Sequence, residues 1–388
     1  MRMTFDKALK VPESIFVGAD AIDEASRVIT ACGTKALIVT GPHVGRSVMM
    51  ARLCSALDAW HIEYVVFDGI TGEPTDAMID TGVRVYRDAA CDFCIGLGGG
   101  SPLDSAKAIA AMTVLEGAIA DFNGRVIECD MPKVVAIPTT AGTGSEVTKF
   151  TIVTDAARDI KMLLKGDVLL PDVAVVDYTL GVTAPASVTA ATGLDALTHA
   201  IEAFVSVRAT PATDELAVSA VRRIMRYLPV AFADGGNVEA REQMALAALE
   251  AGVCINNSSV TVVHGMSRPI GALFHVPHGI SNAMLLSVCL DDMRDAAEER
   301  LAVMARAIGA STAADAACVA SSKFLDAVRD LCRVCMIPGL RGYGIDADKF
   351  LASIDKMAAD AIASGSPANA PKPYTAEDCR RLYRAAFA

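Results

Sequence analysis

The chain has 388 residues, 53% of them apolar and 21% charged, enough for roughly two to three domains with full cores and incompatible with an intrinsically disordered protein. A net charge of −11 argues against a nucleic-acid partner. No run approaches the ~18 apolar residues of a membrane span, since the longest, residues 106–120, is interrupted by Lys107 and Glu116.

Residues 1–182 alternate short apolar runs with helical ones. Strands are expected at SIFVG (14–18), KALIVTG (35–41), EYVVFDG (63–69), DFCIGLGGG (92–100), VVAIPTT (134–140) and VAVVD (173–177). Amphipathic stretches at 44–60 and 75–90 lie between the central ones. Strand, helix, strand at this spacing predicts a doubly wound, mainly parallel sheet covered on both faces. After Pro185 no strand pattern appears. Helices are expected at 189–206, 213–228, 239–256, 297–308, 320–335 and 375–387, with breaks at Pro211, Pro338 and the run SGSPANAPKP. The expected architecture is therefore an α/β nucleotide-binding domain (1–182) followed by an all-α domain (183–388).

The start MRMTFDKALKVPES lacks the apolar segment of a secretory signal, which makes the cytoplasm the expected compartment and free thiols the expected state of the eleven cysteines. Two C-x-x-C pairs occur. Cys91 and Cys94 read as strand, where residues three apart face opposite ways and cannot share a metal. Cys332 and Cys335 read as helix packing.

Two loops carry polar chemistry. IGLGGGSPLDSAKAIA is a strand, a glycine turn and a helix. Gly98, Gly99 and Gly100 let backbone approach a phosphate, and the helix start favours its charge. Ser101 suits a cap or a phosphate donor, and Asp104 a cap or hydroxyl acceptor. The turn departs from G-x-G-x-x-G, whose third glycine falls on Ser101. IPTTAGTGSEVT also follows an apolar strand, and Thr139, Thr140, Thr143 and Ser145 are small hydroxyl donors suited to a diphosphate or ribose. Open α/β sheets bind ligands at this strand edge.

In GLDALTHAIE, Asp195 and His199 are four apart on a helix and leave the same face. They make half of a divalent metal site, or else a polar pair buried for structural reasons. His264 in VVHGMSRP, from a second helix, and His278 in FHVPHG, from the loop after it, are candidates for the other half. His275 competes with His278 on residue type.

Taken together, GGGSPLDSAKAIA, PTTAGTGSEVT, AATGLDALTHAIEAFVS and HGMSRPIGALFHVPHGISNA resemble the iron-containing (group III) alcohol dehydrogenases. The tail SPANAPKPYTAEDCRRLYRAA is similar to that family's last helix. The resemblance implies a dehydroquinate synthase-like two-domain plan with a metal in the cleft. It implies Asp195, His199, His264 and His278 as ligands of Fe(II), or of another divalent ion such as Zn(II). It places Gly98, Gly99, Gly100, Ser101 and Asp104 at the diphosphate of NAD or NADP, and Thr139, Thr140, Thr143 and Ser145 along the nicotinamide ribose and ring. Lys161 would reach the ribose, and Leu180 would pack near the cofactor. The reaction implied is hydride transfer between a primary or secondary alcohol, or its aldehyde or ketone, and nicotinamide, with the ion as Lewis acid. The family favours homodimers and larger assemblies.

Three positions depart from the family pattern. Arg268 stands where many members have a histidine. A guanidinium does not deprotonate usefully, and either holds an acidic substrate or turns to an interdomain salt bridge. Arg268 and His275 are thus the candidate catalytic residues. Gly41 replaces an aspartate that excludes a 2′-phosphate in NAD-specific relatives, so NADP is expected to be usable. Glu73 replaces an asparagine. The alternatives are a metal-independent reductase resembling maleylacetate reductases and a lyase of the dehydroquinate synthase type.

Overall fold

The computed structural model describes residues 8–158 and 160–387. Its sheet domain contains β1 (Ser14–Val17), β2 (Lys35–Val39), β3 (Glu63–Phe67), β4 (Phe93–Gly98), β5 (Val134–Pro138), β6 (Phe150–Asp155), β7 (Ile160–Lys165) and β8 (Val173–Val176). The helices among them are two single turns, α1 (Ala21–Glu24) and α2 (Ser26–Ile29), then α3 (Val48–Ala59), α4 (Asp76–Asp88) and α5 (Gly100–Val114). Six strands form one parallel sheet in the order β1-β8-β5-β4-β2-β3. Successive side chains of β2 enter different cores: Ala36 and Ile38 one layer, Leu37 and Val39 the other. Ser47 and Thr75 begin α3 and α4 by accepting from the backbone N–H groups of Met50 and Met78.

The chain runs from β2 outward to β3, then crosses back to β4 on the other side of β2. This reversal makes β2/β4 the switch point, where a parallel sheet opens a crevice at its carboxyl edge. The glycine turn after β4 lies at that point.

The strands β6 and β7 are additional to the six expected ones. They form an antiparallel hairpin outside the main sheet. FTIVTD alternates part-buried and buried residues, a period-two signal that is present in the sequence. The turn joining it to IKMLLK contains no glycine, so the usual hairpin marker is missing.

The second domain is helical: α6 (Ala186–Val205), α7 (Pro211–Ala233), α8 (Val238–Ser258), α9 (Val262–Phe274), α10 (His278–Met293), α11 (Glu298–Ala307), α12 (Ala317–Val334), α13 (Ala347–Ala363) and α14 (Ala376–Phe387). One apolar cluster runs through all of them. Residues 193–205 of α6 are buried without interruption, so this helix is the domain's axis. Three findings differ from expectation. The helix α7 continues through Pro229 to Ala233; α13 is an additional helix; and His278 opens α10 instead of lying in a loop. Among the described residues no single helix is long and apolar enough to cross a membrane.

The cysteines are all free. Cys91 precedes β4, and its thiol joins the same apolar cluster as Cys94, which corrects the opposite-face expectation. Burial raises both thiols, as suits packing rather than redox chemistry.

Candidate metal and nucleotide site

The axis helix α6 carries polar residues where its neighbours are apolar. Asp195, His199 and Glu202 are buried on one stripe at spacings of four and three. His264 comes from the first turn of α9 and His278 from the first residue of α10. Asp195 Oδ1 lies 3.9 Å from His199 Nε2, 3.7 Å from His264 Nε2 and 3.7 Å from His278 Nε2. One donor atom from each of the four residues falls within 4.8 Å of all the others. Donors about 2.1 Å from a tetrahedral ion stand about 3.4 Å apart, and the three Asp195 distances of 3.7–3.9 Å already lie near that spacing. The residues fit a divalent ion.

Electrostatics agree with that fit. Burial works against the Asp195 carboxylate, but His199, His278 and His264 together hold it well below the usual range. Burial lowers His199 to about 4 and His278 to about 3, leaving neutral imidazoles with free lone pairs. His264 is shifted upward, because Glu202 and Asp195 outweigh the burial that opposes them. The amide Nδ2 of Asn282 donates to Asp195 Oδ1 at 2.7 Å and stands 3.0 and 3.3 Å from Nε2 of His264 and His278. A partial positive charge is thus aimed at the donor atoms that a cation would use.

Sequence reasoning missed Glu202 and Asn282. Glu202 is wholly buried. Its Oε2 accepts from His264 Nδ1 at 2.5 Å, and its Oε1 accepts from Thr261 Oγ1 at 2.5 Å and Val263 N at 2.7 Å. This turns Nε2 of His264 toward the cluster. The signal was the 195–199–202 stripe in GLDALTHAIE. Asn282 lies four residues after His278, a relation that becomes visible only once α10 is known to begin there.

The opposite wall belongs to the sheet domain. An open cleft of about 1060 Å³, counting its mouth, is lined by Gly100, Ser101, Asp104, Thr143, Ser145 and Lys161 on one side and all four metal-site residues on the other. Gly98 needs its freedom: its φ is +148°, and a Cβ there would meet Pro102 Cγ at 2.7 Å. Gly144, at φ +64°, would carry its Cβ to 2.4 Å from Gly252 Cα, so the second loop rests directly on α8.

Several expectations are refined here. The cap of α5 is Gly99 and makes no side-chain bond, so Ser101 lies inside the helix rather than capping it. The Asp104 carboxylate is turned inward. It accepts from Ser145 Oγ at 2.5 Å and from Ile152 N at 2.8 Å, tying the glycine helix to the second loop and to β6. Lys107, also missed, is fully buried and donates to Ser145 Oγ, Thr148 O and Phe150 O at 2.8–2.9 Å. Burial lowers it to about 8, with Asp104 and Glu146 opposing. Thr139 and Thr140 line a smaller, separate pocket beside Thr189 and Arg241. Leu180 packs into the core on one face of the sheet and does not line the cleft. His275 ends α9 in the left-handed conformation, φ 53°, exposed and outside the cleft lining.

Lys161 Nζ is held by Glu73 Oε1 at 2.7 Å, which gives the third departure a role. Arg268 lines the cleft without an ion pair among the described residues, so the interdomain salt bridge is absent. Gly41 leaves no carboxylate on β2 itself, and a Cβ there would meet Ile70 O at 2.8 Å. However, β3 ends beside β2 in parallel register, Val39 opposite Phe67. That brings exposed Asp68 to the same edge, 3.2 Å from Cβ to the position of a Cβ on Gly45.

Four lone-pair donors suited to a divalent ion on one wall and a glycine turn opening a helix on the other fit one class: a two-domain oxidoreductase that uses a divalent metal and a nicotinamide dinucleotide. Residues 12–178 match the family model for iron-containing alcohol dehydrogenase, and residues 189–387 match the C-terminal model of the Fe-containing alcohol dehydrogenase family. The chain belongs to the iron-containing alcohol dehydrogenase family. It is 34% identical over 381 residues to the NAD-dependent methanol dehydrogenase of Bacillus methanolicus, covering 97% of this chain and 99% of that protein. Its structure is similar to that of 1,3-propanediol oxidoreductase, with a TM-score of 0.94, 34% identity and 100% of both chains covered. It is also similar to sulfoacetaldehyde reductase from Bifidobacterium kashiwanohense in complex with NAD+, with a TM-score of 0.88, 28% identity and 100% of both chains covered. The protein is an NAD(P)-dependent oxidoreductase acting on CH–OH groups with a divalent metal, and the lyase and metal-independent alternatives are not favoured.

Proposed function

We propose that the chain interconverts a small alcohol and its aldehyde or ketone in the cleft between the two domains, whose boundary we set at 182/183. The carrying observation is that all four metal donors and the glycine helix face one cleft. Asp195, His199, His264 and His278 hold the ion, which supplies Lewis acidity toward the substrate oxygen. Gly98, Gly99, Gly100 and Ser101 receive the diphosphate through backbone N–H groups and the α5 terminus. Asp104 and Lys107 brace that turn against the second loop. Thr139, Thr140, Thr143 and Ser145 orient the ribose and nicotinamide, and Lys161, steadied by Glu73, flanks them. Leu180 supports the sheet beneath, and we assign His275 no direct contact with the reacting atoms. A bound nicotinamide dinucleotide would supply or accept the hydride, and the cleft would hold its ring beside the substrate carbon. We place the protein in the cytoplasm as a homodimer or larger homo-oligomer.

The test is anaerobic purification, removal of metal, and nicotinamide absorbance with a panel of alcohols and aldehydes before and after adding Fe(II). Restored turnover is the expected result; full turnover without metal would overturn the assignment. Running the panel with NADH and NADPH measures cofactor choice. We expect NADPH to be accepted, and an NADH preference above roughly a thousandfold, some 4 kcal/mol, refutes that.

A further inference from the structure

We propose that Arg268 is a specificity-determining residue that binds a carboxylate on the substrate, making short-chain oxo acids the preferred carbonyl class. The proposal rests on the metal-dependent dehydrogenase reading above and extends it to the substrate's far end.

The first observation is position. Arg268 follows His264 by four residues on α9, so the two side chains leave the same face about one turn apart. Both line the cleft with His199 and His278. A carbonyl oxygen directed to the metal cluster therefore leaves the other end of a short molecule near the guanidinium.

The second is unmet bonding capacity. A guanidinium has five N–H donors. Arg268 makes one hydrogen bond within the described residues, from Nη1 to Ser366 Oγ at 3.1 Å, and its buried Nε has no partner. Arg241, buried elsewhere in the same domain, shows what a structural arginine does. Its Nε, Nη1 and Nη2 reach Gly235 O, Thr189 Oγ1 and Ala184 O at 2.7–2.9 Å. Arg268 lacks such a set although it lies beside a ligand cleft.

The third is charge. Around the cluster stand two buried carboxylates, Asp195 and Glu202, and one guanidinium, Arg268. Lys161 and Glu73 cancel as a pair. Asp104, also in the cleft lining, is balanced by Lys107 at 3.7 Å, so a divalent ion added at the metal end leaves one positive charge in excess. One carboxylate on the substrate balances it, whereas a phosphonate would bring closer to two negative charges. The planar fork of arginine also matches a carboxylate with two parallel bonds. In the reduction, the hydride takes its electron pair from nicotinamide C4 to the carbonyl carbon. The carbon–oxygen π bond breaks, and the oxygen takes a proton from solvent. Arg268 stays charged and donates no proton.

The test uses the full chain loaded with Fe(II), comparing kcat/KM for 4-oxobutanoate and for butanal with NADH. The wild type is expected to favour 4-oxobutanoate by at least about tenfold. Arg268→Gln should collapse that ratio toward one, mainly through KM for 4-oxobutanoate, and Arg268→Lys should retain part of it. Independently of any variant, succinate should inhibit butanal reduction competitively in the wild type, and butanamide should not. A wild type that reduces butanal but shows no preference for the anion overturns the inference while leaving the dehydrogenase reading intact. An unchanged ratio in Arg268→Gln, or no inhibition by succinate, also overturns it. Failure to reduce any aldehyde in the presence of metal overturns the underlying reading as well.

Discussion

The two walls of the cleft are built by different means. The helical wall uses long side chains whose positions are locked by packing around α6 and by buried acceptors such as Glu202. The sheet wall uses backbone and small hydroxyls, and its key positions are set by the absence of a Cβ at Gly98 and Gly144. A metal demands donors converging within a few tenths of an ångström, which interlocked helices supply. A diphosphate demands close approach of N–H groups, which glycine turns supply.

This contrast is open to attack by mutation. The largest effect is expected from Asp195→Ala. Metal content should fall to background and kcat/KM by at least about a thousandfold, some 4 kcal/mol. NADH binding, followed by nicotinamide fluorescence, should stay within roughly threefold because the sheet wall is untouched. Loss of both would mean that the walls do not act separately. Gly144→Ala tests the other side. Its left-handed φ and the contact with Gly252 should cost at least about 2 kcal/mol in denaturant unfolding. It should also weaken NADH binding while the metal is retained. An unperturbed melting curve would show that this loop yields.

A smaller change should follow Glu202→Gln. The neutral side chain keeps an acceptor but withdraws the charge that sets the His264 tautomer. Metal affinity, measured by chelator competition, should drop about tenfold. Unaltered affinity would make Glu202 a packing residue only. The smallest effect is expected from Asp68→Asn at the edge of the nucleotide wall. Removing this carboxylate should raise the NADPH/NADH ratio of kcat/KM by roughly threefold to tenfold. A ratio that does not move would place the adenosine ribose elsewhere.

Much of this protein follows from local pattern. The six strands of the main sheet were legible because each is a short apolar run between helical stretches. Asp195 and His199 were legible because one helix carries both. The hairpin β6–β7 escaped because its turn has no glycine, even though its alternation was visible in FTIVTD. Domain-scale order and the shared face of Asp195 and His199 were thus determined by the sequence alone, through periods of 2 and 3.6 residues that operate between near neighbours, whereas the full donor set rested on the resemblance to a family. Tertiary structure decided what depends on contacts across long sequence separations. It set Glu202 behind His264, sixty-two residues away, and Asp68 beside the turn after β2. It gave Asp104 to Ser145 and Ile152, kept His275 out of the cleft, and left Arg268 in the cleft without an ion pair among the described residues. The physical reason is that spacing fixes which face a side chain leaves, while its hydrogen-bond partners and its charge balance are supplied by whatever element packs against that face.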